Sequence, residues 1–149
     1  FISDFALGHR MYRCSTQGGP AELLPTPVHA TRPAESADGQ YLFVTSREVD
    51  FDLGKISLKG PKAGVQTEGI ARVLNWTLWR LTANGVYFVP TEAPRTMRFY
   101  DFATRKTKDV FSLEKDFDDG ISVSPDGRYM LYSQVDTVNS DVMVMDKYH

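Results

Sequence analysis

The chain has 149 residues, 42% of them apolar and 24% charged, with 17 Lys and Arg against 19 Asp and Glu. A chain of this size and composition buries roughly two thirds of the surface its unfolded form exposes, so intrinsic disorder is excluded and no disulfide or metal staple is needed. A formal net charge of −2 with scattered Lys and Arg leaves no electrostatic footprint for a polyphosphate or an anionic bilayer, which argues against direct nucleic-acid contact by this segment.

From the amino terminus, Phe1-Ile2-Ser3 is neither a Met start nor a basic-then-apolar leader, as expected of a chain that begins inside a longer protein. Arg10-Met11-Tyr12-Arg13 alternates polar with apolar and reads as a strand. Cys14 is the only cysteine, so no internal disulfide can form, and a free buried thiol is expected. Gly18-Gly19-Pro20 marks a turn into a short, polar outer strand at 21–24. The run Tyr41-Leu42-Phe43-Val44 follows a turn built from Ser36, Ala37, Asp38 and Gly39. Lys55-Ile56-Ser57-Leu58 is a second strand, and a turn from Gly60-Pro61 to Gly64 leads to another outer strand at 64–67.

Asn75-Trp76-Thr77-Leu78-Trp79-Arg80 is expected as an innermost strand. After a turn at Asn84-Gly85 comes Val86-Tyr87-Phe88-Val89, then Met97-Arg98-Phe99-Tyr100, a turn at 103–106 and an outer strand at 108–111. Ser124-Pro125-Asp126-Gly127 opens Arg128-Tyr129-Met130-Leu131-Tyr132, and Asp141-Val142-Met143-Val144 closes the series. The longest apolar runs are four residues, far short of the ~20 that cross a bilayer, so no membrane span is expected. No stretch of ten residues carries an apolar stripe at helical spacing, and the fold class is all-β.

The turns recur. Residues 36–46 align with 124–134, and 81–91 fits with one residue fewer after its Gly; Gly39 and Gly85 are 46 positions apart, Gly85 and Gly127 42. Such spacing matches four-stranded blades of a β-propeller. Pro125 presets φ at the second turn position, Asp126 bonds local backbone and Gly127 takes a left-handed conformation; Asp38-Gly39 and Asn84-Gly85 fill the same structural role in their copies. The runs that follow do not alternate cleanly, as suits strands covered on both faces. The division is a β-propeller fragment of two full and two partial four-stranded antiparallel blades: 1–27 partial, 28–70, 71–115 and 116–149 partial. The last lacks its outer strand, leaving an open edge near 142–145.

Ser124-Pro125-Asp126-Gly127-Arg128-Tyr129-Met130-Leu131-Tyr132-Ser133 resembles the core motif of WD-like propeller repeats in the TolB-like family. With Asn84 to Pro90, Arg98 to Thr104 and Ser140 to Asp146, the chain resembles the carboxy-terminal propeller of bacterial winged-helix sensor-regulators. Ala37 in place of the usual Pro, and Arg105 where a Gly is common, depart from the pattern. The resemblance implies a non-enzymatic scaffold or sensor module of a transcriptional regulator, binding a protein or small ligand and packing against the remaining blades of its parent chain. It also implies two alternatives, the gating propeller of a serine peptidase and a periplasmic transport accessory, and with the latter a periplasmic location.

Candidate chemistry is sparse. His9 is expected in a loop, His29 in a linker and His149 at the terminus, so structural or exposed roles are expected for all three. No Gly-x-Ser-x-Gly elbow places a nucleophile. Glu114, Asp116, Asp118 and Asp119, and the pair Asp50 and Asp52, lack the spacing of a calcium loop and read as solvated connections. No catalytic residue, metal or cofactor is therefore expected. Core packing is the expected role of Trp76 and Trp79, with a backbone partner for each indole N–H, and an aromatic ligand platform is the alternative.

Overall fold

The computed structural model describes residues 3–4, 8–26, 30–46, 52–64 and 66–135. Strands β1 (Ser3–Asp4) and β2 (Gly8–His9) pair, as do β3 (Tyr12–Arg13) and β4 (Glu22–Leu23). Two four-stranded antiparallel meanders follow. The first runs β5 (Ala30–Glu35), β6 (Tyr41–Ser46), β7 (Asp52–Ser57), β8 (Gln66–Arg72), and the second β9 (Trp79–Leu81), β10 (Gly85–Phe88), β11 (Thr96–Asp101), β12 (Lys106–Ser112). A final antiparallel pair joins β13 (Phe117–Val123) to β14 (Met130–Gln134). Among the described residues the only helical turn is a 3-10 turn at Gly60–Lys62, begun by Pro61, and the fold is all-β. None of them forms a helix long and apolar enough to cross a membrane.

Three apolar cores lie between successive sheets. Met11 and Leu24, flanking β3 and β4, pack with Ala30, Leu42, Val44 and Ile56 of the first meander. Phe43 and Leu53 of that meander meet Val73, Trp79, Val86, Phe88 and Tyr100. Beyond, Leu78, Val89 and Met97 pack on Phe117 and Ile121 of β13. Successive residues of β6 therefore enter different cores, Leu42 and Val44 on one side and Phe43 on the other. Alternation of side chains across a strand makes this possible, and the missing polar alternation in the sequence is its trace. Around β10 the arrangement repeats, with Val86 and Phe88 against one neighbour and Val89 against the next.

The turns at Ser36 and Ser124 are built alike. Ser36 N–H donates to the Tyr41 carbonyl at 2.9 Å and Gly39 N–H to the Ser36 carbonyl at 2.9 Å, while Ser124 and Gly127 make the corresponding bonds at 2.9 and 2.8 Å. The serine hydroxyls donate to Asp38 and Asp126, both at 2.6 Å, and each carboxylate accepts a second bond from the backbone N–H two residues on. These bonds favour the charged form, so both carboxyls titrate below the usual carboxylate range, with the serine hydroxyl as the largest cause. Gly39 and Gly127 take φ +63° and +71°, where a Cβ is disfavoured. Pro125 precedes Asp126 in the second turn, where the first has Ala37.

Gly85 is different. It lies inside β10, is buried and pairs with Asp101; its turn is the shorter Thr82-to-Gly85 hairpin, in which the Thr82 N–H and hydroxyl both donate to the Gly85 carbonyl at 2.9 Å. Its sequence-derived role, left-handed conformation at a turn, is thus corrected: close approach of backbone, not φ, excludes a side chain here. Asn84 contributes its carbonyl, which accepts from Phe102 N–H at 3.0 Å.

Other expectations change as well. The outer strands β8 and β12 are polar but seven residues long, because the whole length of β7 or β11 is available to pair with them. Cys14 is exposed rather than buried, since residues 12–23 form a solvent-facing hairpin arm and only Met11 and Leu24 at its base enter a core. His9 belongs to a strand, not a loop. His29, Asp50, His149 and the expected strand and edge at 141–145 lie outside the described residues.

Arg105 adopts φ +54° in the turn between β11 and β12. An L-residue there costs roughly 1–2 kcal/mol, part of which glycine recovers against its own greater unfolded-state entropy. Arg105→Gly is therefore expected to raise unfolding stability by up to ~1 kcal/mol in urea titrations.

Candidate functional site

The first strands of the two meanders, β5 and β9, face one another across a cleft of about 530 Å³. Residues 32–35 form one wall; Trp76, Trp79, Arg80 and Leu81 form the other. The two tryptophans thus share one site but differ in environment. Trp79 is 5% exposed and belongs to the core between the meanders, whereas Trp76 is 45% exposed. Core packing therefore describes Trp79 alone.

Local chemistry explains the division. The expected inner strand at 75–80 begins only at Trp79, because the Asn75 side chain competes with the ladder. Asn75 Oδ1 accepts from Thr77 N–H at 2.7 Å, from the Thr77 hydroxyl at 2.5 Å and from Leu78 N–H at 3.2 Å, closing a side-chain turn that holds Trp76 outward. The Thr77 hydroxyl also lies 3.2 Å from Asp119 Oδ1, tying this turn to β13. Trp79 Nε1 is buried without a hydrogen-bond partner, so the backbone acceptor expected for its indole is not there. Such an orphaned donor is costly in a low-dielectric interior.

Two guanidiniums flank the rings. Arg80 donates through Nε and Nη2 to the Ile121 carbonyl at 3.3 and 3.0 Å, which fixes its plane against the neighbouring sheet. Arg32 is exposed, has no hydrogen-bond or ion-pair partner among the described residues, and takes φ +55° where β5 bulges between Thr31 and Ala34. That backbone state costs an L-residue about 1–2 kcal/mol. Glu35, the acidic group of the cleft, lies 3.4 Å from Arg13, which is bound more closely by Glu22 at 2.9 Å. Together these carboxylates, Glu22 foremost, hold the Arg13 guanidinium above its ordinary pKa.

A second cleft of about 510 Å³ opens beside Asp38, between Tyr41, Phe43, Lys55 and Phe102. Its aromatic surfaces are already engaged: Phe43 stacks on Phe102 at 5.4 Å, and Lys55 Nζ lies 4.0 Å from the Tyr41 ring centre. Behind it the Tyr100 hydroxyl donates to Glu68, and burial first, then this carboxylate, pushes its pKa up to about 12.

The acidic cluster does not converge. Asp116 pairs with Arg95 at 2.5 Å, Asp119 faces Thr77, and Asp52 lies 3.6 Å from Arg72. Among the described residues no three metal-ligating side chains come together. Sequence reasoning picked out the tryptophans but missed Arg32 and Arg80; the adjacency of Arg80 to Trp79 was the available signal, while Arg32 joins them only through the packing of two sheets. No family model matches the chain, and no curated protein matches it.

Proposed function

We propose that the chain is a non-enzymatic β-propeller segment, the carboxy-terminal part of a larger bacterial regulator, that binds a protein or small ligand at the cleft between its inner strands. The observation that supports this reading is the serial stacking of antiparallel sheets through three separate apolar cores, the packing that radial blades require. The cleft offers hydrogen-bond donors and aromatic surface, which suit recognition.

Both ends of the stack carry exposed apolar groups. Tyr12 and Leu23, opposite one another across β3 and β4, are 47% and 45% exposed; at the other end Leu131 is 74% and Tyr129 67% exposed. In this reading further blades cover these faces. In this reading the chain carries too few blades to close a ring, so sedimentation velocity is expected to show concentration-dependent self-association, reduced by Leu131→Lys. A strictly monomeric, non-aggregating species at all concentrations would contradict the reading.

A further inference from the structure

We infer that the cleft between β5 and β9 takes a small carboxylate ligand with a flat apolar body, its carboxylate against Arg32 and Arg80 and its ring against Trp76. This rests on the binding-module reading above and names the ligand class for the same cleft.

The polar chemistry of the walls is one-sided. Arg32 and Arg80 bring two permanent cations to them. Glu35 is the one carboxylate on these walls, 3.4 Å from Arg13, so two cations stand against one anion and the balance is positive. A ligand matched to this surface must accept hydrogen bonds and carry negative charge. The planar guanidinium favours carboxylate geometry over that of a spherical anion. Arg80 is pre-oriented by the Ile121 carbonyl, with part of its five-donor fork left over.

Two further features point to a ligand rather than a solvated surface. Arg32 occupies a left-handed backbone position that glycine tolerates better than an L-residue, and strain of this kind gathers at binding sites. Trp76 lines the cleft beside the Asn75 side-chain turn and stays 45% exposed, so a large ring is presented to solvent there. An aromatic face beside two guanidiniums fits a flat acid better than a sugar or an aliphatic chain.

The experiment uses the only two tryptophans of the chain, both on the cleft walls, whose indole N–H resonances report on the site in a heteronuclear NMR titration. Benzoate is expected to shift both resonances saturably. Acetate, which lacks the ring, should bind at least tenfold more weakly, and benzylamine, which reverses the charge, should produce no saturable shift. Arg32→Gly, which relieves the left-handed backbone and so preserves the fold, should weaken benzoate at least tenfold while the free protein's indole resonances stay in place. Arg32→Lys should retain part of the affinity. Equal responses to benzoate and benzylamine, or unchanged benzoate affinity in Arg32→Gly, would overturn the assignment of charge and leave the binding reading standing. No saturable shift with any of the three probes would overturn both the ligand class and small-molecule binding at this cleft, whereas the stacked-sheet reading is tested separately, by sedimentation.

Discussion

Phe43→Ala is expected to lower the unfolding free energy by about 3–5 kcal/mol, measured by urea or guanidinium titration. Phe43 is 1% exposed at the centre of β6 and packs in the core that joins the two meanders. Its ring stacks on Phe102, which follows β11 in the opposite meander. Truncation removes a ring from a two-sheet interface whose backbones are held by their own ladders, so the cavity cannot collapse easily and the loss falls at the upper part of the range. Trp76→Ala is the control, since a ring 45% exposed in a turn should change stability by no more than ~0.5 kcal/mol. Equal losses from the two variants would mean that the interface between the meanders is not where the structure puts it.

Gly85→Ala is expected to destabilise at or beyond the top of the roughly 1–3 kcal/mol range for overpacking. A Cβ at this position would collide with the Tyr100 carbonyl and lie 2.5 Å from Phe99 Cζ. The carbonyl is backbone in the adjacent strand β11, paired with β10, and cannot give way without breaking that ladder. Gly127→Ala provides the contrast: nothing lies within 4 Å of its Cβ, and only the left-handed φ of +71° opposes the change. That substitution should therefore cost less, roughly 1–2 kcal/mol. Denaturation midpoints of the two variants check the order directly, and a Gly85→Ala protein as stable as the parent would refute the close approach of β10 to β11.

Glycines at a shared alignment position thus serve two physical purposes. Gly39 and Gly127 answer to the dihedrals of a six-residue turn, set by a serine hydroxyl, an aspartate and five backbone groups within a few residues of one another. Gly85 answers to a neighbouring strand fourteen or more residues away. The one-residue difference after Gly85 was the visible trace of the second case, but a turn template read along the chain treats all three alike.

The features legible along the chain are those that local chemistry controls. The all-β class follows from turn residues at regular intervals and from apolar runs too short and too irregular for a helical stripe. The double-sided burial of β6 and β10 follows from runs that fail to alternate. Which side of each element meets another sheet is settled instead by packing between distant strands. Trp76 and Trp79 are three residues apart, yet one is core and the other faces solvent, because Asn75 closes a turn before the strand begins. Cys14 is exposed because its hairpin arm projects past the core that Met11 and Leu24 enter. Arg32 and Arg80, 48 residues apart, line one cleft because two meanders stack with their first strands facing. Side-chain alternation and turn dihedrals are set by nearest neighbours in the chain, whereas burial and charge juxtaposition depend on contacts between distant strands, which no local pattern encodes.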